Sequence, residues 1–148
     1  MTPSDEYPHG WDVEWVAVDA QDRTAIFTTA GDGPIPRAQL ARWAEFSTVA
    51  ARLLALPETG GHELLVTLPR PDDFVRFARQ GYFAYDWDWS RGGLRPRYRL
   101  QARPLVPRLV DASLDPDLLA LLGAGASDRL NFGAAKLDIR AAFECEPR

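Results

Sequence analysis

Cysteine is almost absent. Cys145 stands alone, which excludes an intramolecular disulfide and a cysteine zinc cluster and suits a reducing cytoplasm. Histidine is nearly as scarce. His9 and His62 are isolated, and neither belongs to an H-x-x-x-H or H-E-x-x-H arrangement, so no metal centre is expected. Lys136 is the sole lysine, and the remaining positive charge is arginine. No run of about 18 apolar residues exists, so no membrane-spanning helix is expected. The opening Met-Thr-Pro-Ser-Asp-Glu-Tyr is acidic and polar, unlike the basic start and apolar stretch of a signal peptide. A cytoplasmic protein is the resulting expectation.

Nucleotide-binding signatures are missing too. Gly31-Asp32-Gly33-Pro34-Ile35-Pro36 is the one glycine loop that precedes a helix, and it lacks the Gly-Lys-Ser/Thr ending of a P-loop. Pro36 stands where the dinucleotide fingerprint needs its third glycine. Pro34 and Pro36 also remove two amide donors that an anion would use. The loop therefore reads as a rigid turn, and no cofactor is expected. There is no Gly-x-Ser-x-Gly elbow, and Cys145 alternates with core positions, as a buried inert thiol would.

What is present suits one α+β domain. The chain has 148 residues and a net charge of −4, which does not favour a general nucleic-acid binder. Residues 1–10, with Pro3, Pro8 and Gly10, read as a flexible arm before a domain over 11–148. Strand-like alternation starts at Asp12, breaks at Asp19–Arg23, where aspartates favour a turn, and resumes over Thr24–Thr29. Leu40, Trp43, Phe46, Ala50, Leu53 and Leu54 recur at helical spacing, predicting one main helix over Arg37–Leu54, with a possible break at Ser47-Thr48. Leu64–Leu68 reads as a short buried strand.

Pro71, Asp72 and Asp73 open a second helix that Gly81 stops. Asp115 and Pro116 open a short third helix that Gly123 stops. Alternation over Leu137–Cys145 predicts a closing strand. The expected fold is a mostly antiparallel sheet of about six strands in the order β-β-α-β-α-β-β-α-β, packed against two main helices and one short one.

The strongest local signal is the stretch Gly81–Arg103, in which two alternating runs flank Gly92-Gly93. Paired glycines suit a type I′ turn. Counting outward sets Trp87 against Tyr98, Tyr85 against Leu100 and Phe83 against Ala102 on one face. On the other face Asp88 meets Arg97, Asp86 meets Arg99, Ala84 meets Gln101 and Tyr82 meets Arg103. The aromatics then share one face and opposite charges share the other.

Asp86 and Asp88 would stand roughly 6.5–7 Å apart along one strand face, a spacing open to paired-carboxylate chemistry. An arginine opposite each carboxylate would hold its pKa down and oppose general-acid work. Asp86, Asp88, Arg97 and Arg99 therefore form an alternative ligand or hydrolase-like site, with structural ion pairing the simpler expectation. Trp87, Trp89 and Tyr98 could stack on bases, but the arginines lie on the opposite face, which disfavours single-stranded nucleic acid.

Trp15-Val16-Ala17-Val18-Asp19 and the run Ala25–Pro36 resemble the opening of small bacterial proteins of uncharacterised function. Tyr82-Phe83-Ala84-Tyr85-Asp86-Trp87, after an Asp-Asp-Phe helix, resembles their middle. Such proteins are similar in size and style to immunity proteins of bacterial toxin systems. The missing catalytic constellation, the acidic balance and the single compact domain point to a non-enzymatic binding domain, and the resemblance implies that it inhibits a toxin. A basic toxin would be steered by acidic groups, and the expected surface is the acidic first hairpin with Asp12, Glu14 and Asp22, the loop residue Asp32, and Trp89 at the end of its strand.

Overall fold

The Asp19 carboxylate builds the first hairpin. Its Oδ1 accepts from the Gln21 and Arg23 backbone amides, both at 3.0 Å, and the left-handed φ of Asp22 completes the reversal. Strands β1 (Glu14–Val18) and β2 (Thr24–Thr28) therefore pair antiparallel, with Trp15 opposite Phe27 and Glu14 opposite Thr28. The computed structural model describes residues 7–42, 48–88 and 97–147. The Gly92-Gly93 turn and Trp89 lie outside the described residues.

The fold is α+β. Its main sheet has six strands in the order β1-β2-β5-β6-β4, and β7 also pairs with β6. Strand β5 (Phe83–Asp88) lies parallel to β2 and antiparallel to β6 (Arg97–Pro104). Strands β4 (His62–Leu64) and β7 (Lys136–Leu137) share the outer side of β6. A separate pair joins β3 (Ile35–Pro36) to β8 (Cys145–Glu146). Four α-helices are described: α1 (Arg37–Leu40), α2 (Val49–Leu54), α3 (Asp72–Arg79) and α4 (Pro116–Gly123). Among the described residues no helix is long and apolar enough to cross a membrane.

The aromatic face predicted for β5 and β6 forms the core. Trp15 stacks on Phe27 with ring centroids 4.3 Å apart, and Phe27 stacks on Tyr85 at 5.0 Å. Tyr98 meets Phe27 edge-on at 4.9 Å. Each such pair adds about 0.5–1.5 kcal/mol beyond the area it buries. The Tyr98 hydroxyl accepts from Trp15 Nε1 at 3.1 Å and donates to the Pro34 carbonyl at 3.0 Å, so the buried polar tip is satisfied. Phe132 and Phe143 close over this face from the C-terminal third. On the opposite face α2 lies against β1, and α3 lies against β4, β5 and β6.

Four local expectations change. The β5–β6 register holds from Tyr85–Leu100 to Asp88–Arg97, but a bulge between Ala84 and Tyr85 then sets Ala84, not Phe83, opposite Ala102. The helix expected over Arg37–Leu54 is divided: α1 ends at Leu40, and α2 starts after Thr48, at the break that Ser47-Thr48 left open. The apolar run Leu64–Leu68 is not a buried strand. β4 covers His62–Leu64 at the sheet edge, with Leu64 and Leu65 37% and 41% exposed. The closing strand is interrupted by a 3-10 helix at Ile139–Ala141, because burying Ile139 turns the chain there and its carbonyl accepts from Ala142 and Phe143. Residues 7–10 are tied to the turn after β2, with Gly10 N donating to Gly31 O at 3.0 Å and Tyr7 Oη donating to Gly33 O at 2.5 Å.

Candidate functional site

Register, rather than sequence proximity, assembles the site. Glu14 pairs with Thr28, Thr28 with Asp86, and Asp86 with Arg99. Four strands thus place Glu14, Thr28, Asp86 and Arg99 in one row on the sheet face away from the aromatic core. Neighbouring positions in such a row are about 4.8 Å apart in the pairing direction. The row crosses the carboxyl ends of the parallel strands β2 and β5, where open sheets commonly bind ligands.

Two clefts are floored by this row, each of about 510 Å³. One is lined by Glu14, Asp73 and Arg76, with Ala51, Leu54 and Phe77 as its apolar wall. The other is lined by Asp86, Asp88, Arg99 and Gln101, with the chain from Leu65 to Leu68 along its side. Glu14, Asp86 and Asp88 are partly buried.

Both carboxylates in the row have their pKa raised above the ordinary carboxylate value. Burial pushes the Asp86 pKa up; a hydrogen bond from Thr28 Oγ1 at 2.8 Å opposes this, and the charges of Asp12 and Asp88 add to the rise. Burial also pushes the Glu14 pKa up, helped by Asp12 and Asp73. Among the described residues no guanidinium lies within 4 Å of Asp86. The expectation that Arg99 would pair with Asp86 and lower its pKa is therefore corrected. The register is as expected, but the Arg99 side chain runs along the strand to Asp88, with Nη1 3.9 Å from Oδ2. Arg97 reaches Asp138 at 3.9 Å, beside β7.

The other expected partner-binding residues separate. Asp12 is exposed and adjoins the row; its Oδ1 accepts from Ala30 N at 2.9 Å. Asp32 is exposed in the turn after β2. Asp22 sits at the tip of the first hairpin, at the opposite end of β1 from Glu14, roughly 14 Å away at strand rise. It does not join the site. Asp73 does join it, although its place in the first turn of α3 is already explained by the helix dipole. Thr28 also joins, and only the non-local pairing of β2 with β5 brings it beside Asp86.

The arrangement can hold a cation. A desolvated carboxylate without a counter-charge gains most from an incoming guanidinium or ammonium, because that partner offsets the cost of keeping it ionised. Among the described residues no three His, Cys, Asp or Glu side chains come together as a metal-holding group. Compared with known protein families, curated proteins and solved structures, the chain finds no match.

Proposed function

We propose that the chain is a non-enzymatic binding protein for a basic protein partner, of the toxin-inhibiting kind. Asp86 carries this reading: it is half-buried at a cleft floor, its proton affinity is raised, and no guanidinium within the described residues pairs with it. Glu14 repeats the pattern in the adjoining cleft. Asp12 adds negative charge to both clefts, where Glu14 and Asp73 outnumber Arg76 and where Asp86 and Asp88 outnumber Arg99, and a net negative field speeds encounter with a basic surface. Proteins encoded beside this one are the partners to try by co-purification. Association of the recovered pair is then titrated at low salt for the wild type and for Asp12→Lys with Glu14→Lys. A weakened complex supports the surface; unchanged association removes it.

A second reading, a small-ligand or hydrolase-like site, is favoured by the same raised proton affinity, which suits Asp86 to donate a proton. Asp88 would then be the second carboxylate, on the same strand face, two residues on. Hydrolysis of aryl glycosides that disappears in Asp86→Asn would favour it over the binding reading.

A further inference from the structure

Trp11 is the most exposed large apolar side chain among the described residues, at 73%, yet its backbone is firmly held. Its amide donates to Pro8 O at 3.1 Å, and its carbonyl accepts from Thr29 Oγ1 at 3.3 Å. The residues on either side are fixed as well. Gly10 N bonds to Gly31 O, Asp12 Oδ1 accepts from Ala30 N, and Val13 N donates to Thr29 Oγ1 at 3.1 Å. An indole presented to solvent from a hydrogen-bonded platform loses little conformational freedom on binding. Its neighbour Asp12 is the residue whose charge acts on both Glu14 and Asp86, and Asp32 lies exposed in the turn that holds the platform.

We propose that Trp11 is the aromatic anchor of this acidic surface and that it selects arginine over lysine in the basic partner, an inference that rests on the binding reading above. A guanidinium is planar. It can stack on an indole face while its N–H fork reaches a carboxylate, whereas an ammonium is a compact, strongly hydrated point charge. Central aromatic anchors rimmed by polar residues carry much of the energy at protein interfaces. Nucleic-acid bases also stack on indoles, but Asp12, Glu14 and Asp32 would repel the phosphates.

The test uses the full chain and fluorescein-labelled decaarginine, decalysine and a thymidine decanucleotide, titrated at low salt by anisotropy. Wild-type protein is expected to bind decaarginine about fivefold more tightly than decalysine. Trp11→Ala should abolish that preference while leaving decalysine affinity nearly unchanged, and Trp11→Phe should keep part of it. The exposure of Trp11 makes all three proteins foldable, which circular dichroism checks. An arginine-to-lysine ratio unchanged in Trp11→Ala overturns the anchor and leaves the acidic surface standing. Absence of binding by either peptide overturns both. Tighter binding of the oligonucleotide, or a wild-type dimer that dissociates on Trp11→Ala, would place a different occupant on the indole and overturn the inference.

Discussion

Gln39 closes the outer edge of β1 as a neighbouring strand would, with its Oε1 accepting from Val16 N at 3.3 Å and its Nε2 donating to Val16 O at 2.5 Å. The same Nε2 donates to Leu121 O at 3.1 Å, and the side chain is 0% exposed. One amide thus satisfies an edge residue that would otherwise present open backbone groups. Gln39→Leu keeps approximate size and removes all three bonds. It should cost about 2–4 kcal/mol, the penalty of leaving buried backbone groups unpaired, measured by urea unfolding. A loss under about 0.5 kcal/mol would mean that water takes over the edge.

Gly125 lies against the same edge. A Cβ there would collide with the Val16 carbonyl oxygen and the Gln39 amide, both buried and hydrogen-bonded to each other. Gly125→Ala is expected to destabilise by about 2 kcal/mol or more. Gly123, two residues earlier at the end of α4, meets nothing within 4 Å, so Gly123→Ala should be neutral or stabilise by up to about 0.5–1 kcal/mol. Opposite signs from two neighbouring glycines in thermal melts would be hard to obtain by any other packing.

Asp19 ties three parts of the chain together. Beyond its turn bonds, Oδ2 accepts from Phe132 N at 2.9 Å and pairs with Arg23 Nη2 at 2.8 Å. The Asp19 side chain is fully buried. Asp19→Ala should cost about 3 kcal/mol or more, since it leaves several amides unpaired and removes the carboxylate partner of Arg23, which keeps its bonds to Asn131 and Phe132. Asp19→Asn keeps an acceptor for the turn amides and should cost less. Equal losses would show that only the charge counts.

Asp86 gives the pH dependence. The folded state binds its proton more tightly than the unfolded chain does, so between the two pKa values the native state carries more protons. Stability therefore falls as pH rises through that window, and near neutral pH the ionised group is a net cost. Asp86→Asn keeps the oxygen that accepts from Thr28. It should raise the melting midpoint by about 1–3 °C near neutral pH, a figure reduced for the partial exposure of the site. The gain should vanish in acid below the ordinary carboxylate range. A lower midpoint near neutrality would mean that the charge is already compensated.

Much of the local structure could be read from residue order. The first hairpin follows from Asp19 and the alternation around it, and the Trp87–Tyr98 and Asp88–Arg97 pairings follow from counting outward from Gly92-Gly93. The candidate site could not be read in this way. Glu14 and Asp86 belonged to two separate expectations, and the strand that unites them, β2, lies between β1 and β5 through a parallel pairing with no local signal. Gln39 stands outside the apolar stripe of its helix segment, and its burial depends on where α1 docks. The ion pairs also departed from simple cross-strand partners, because an arginine side chain is long enough to choose among several carboxylates once the strands are in place.

Sequence alone determined which segments are strands or helices over most of the chain, and that rings and charges occupy opposite faces of β5 and β6. These follow from side-chain period and turn chemistry, which act over a few residues. Tertiary structure alone decided which strands are neighbours, which carboxylates are desolvated, and which aromatic is left in solvent. Those outcomes depend on contacts between residues far apart in the chain, whose energies no short stretch contains.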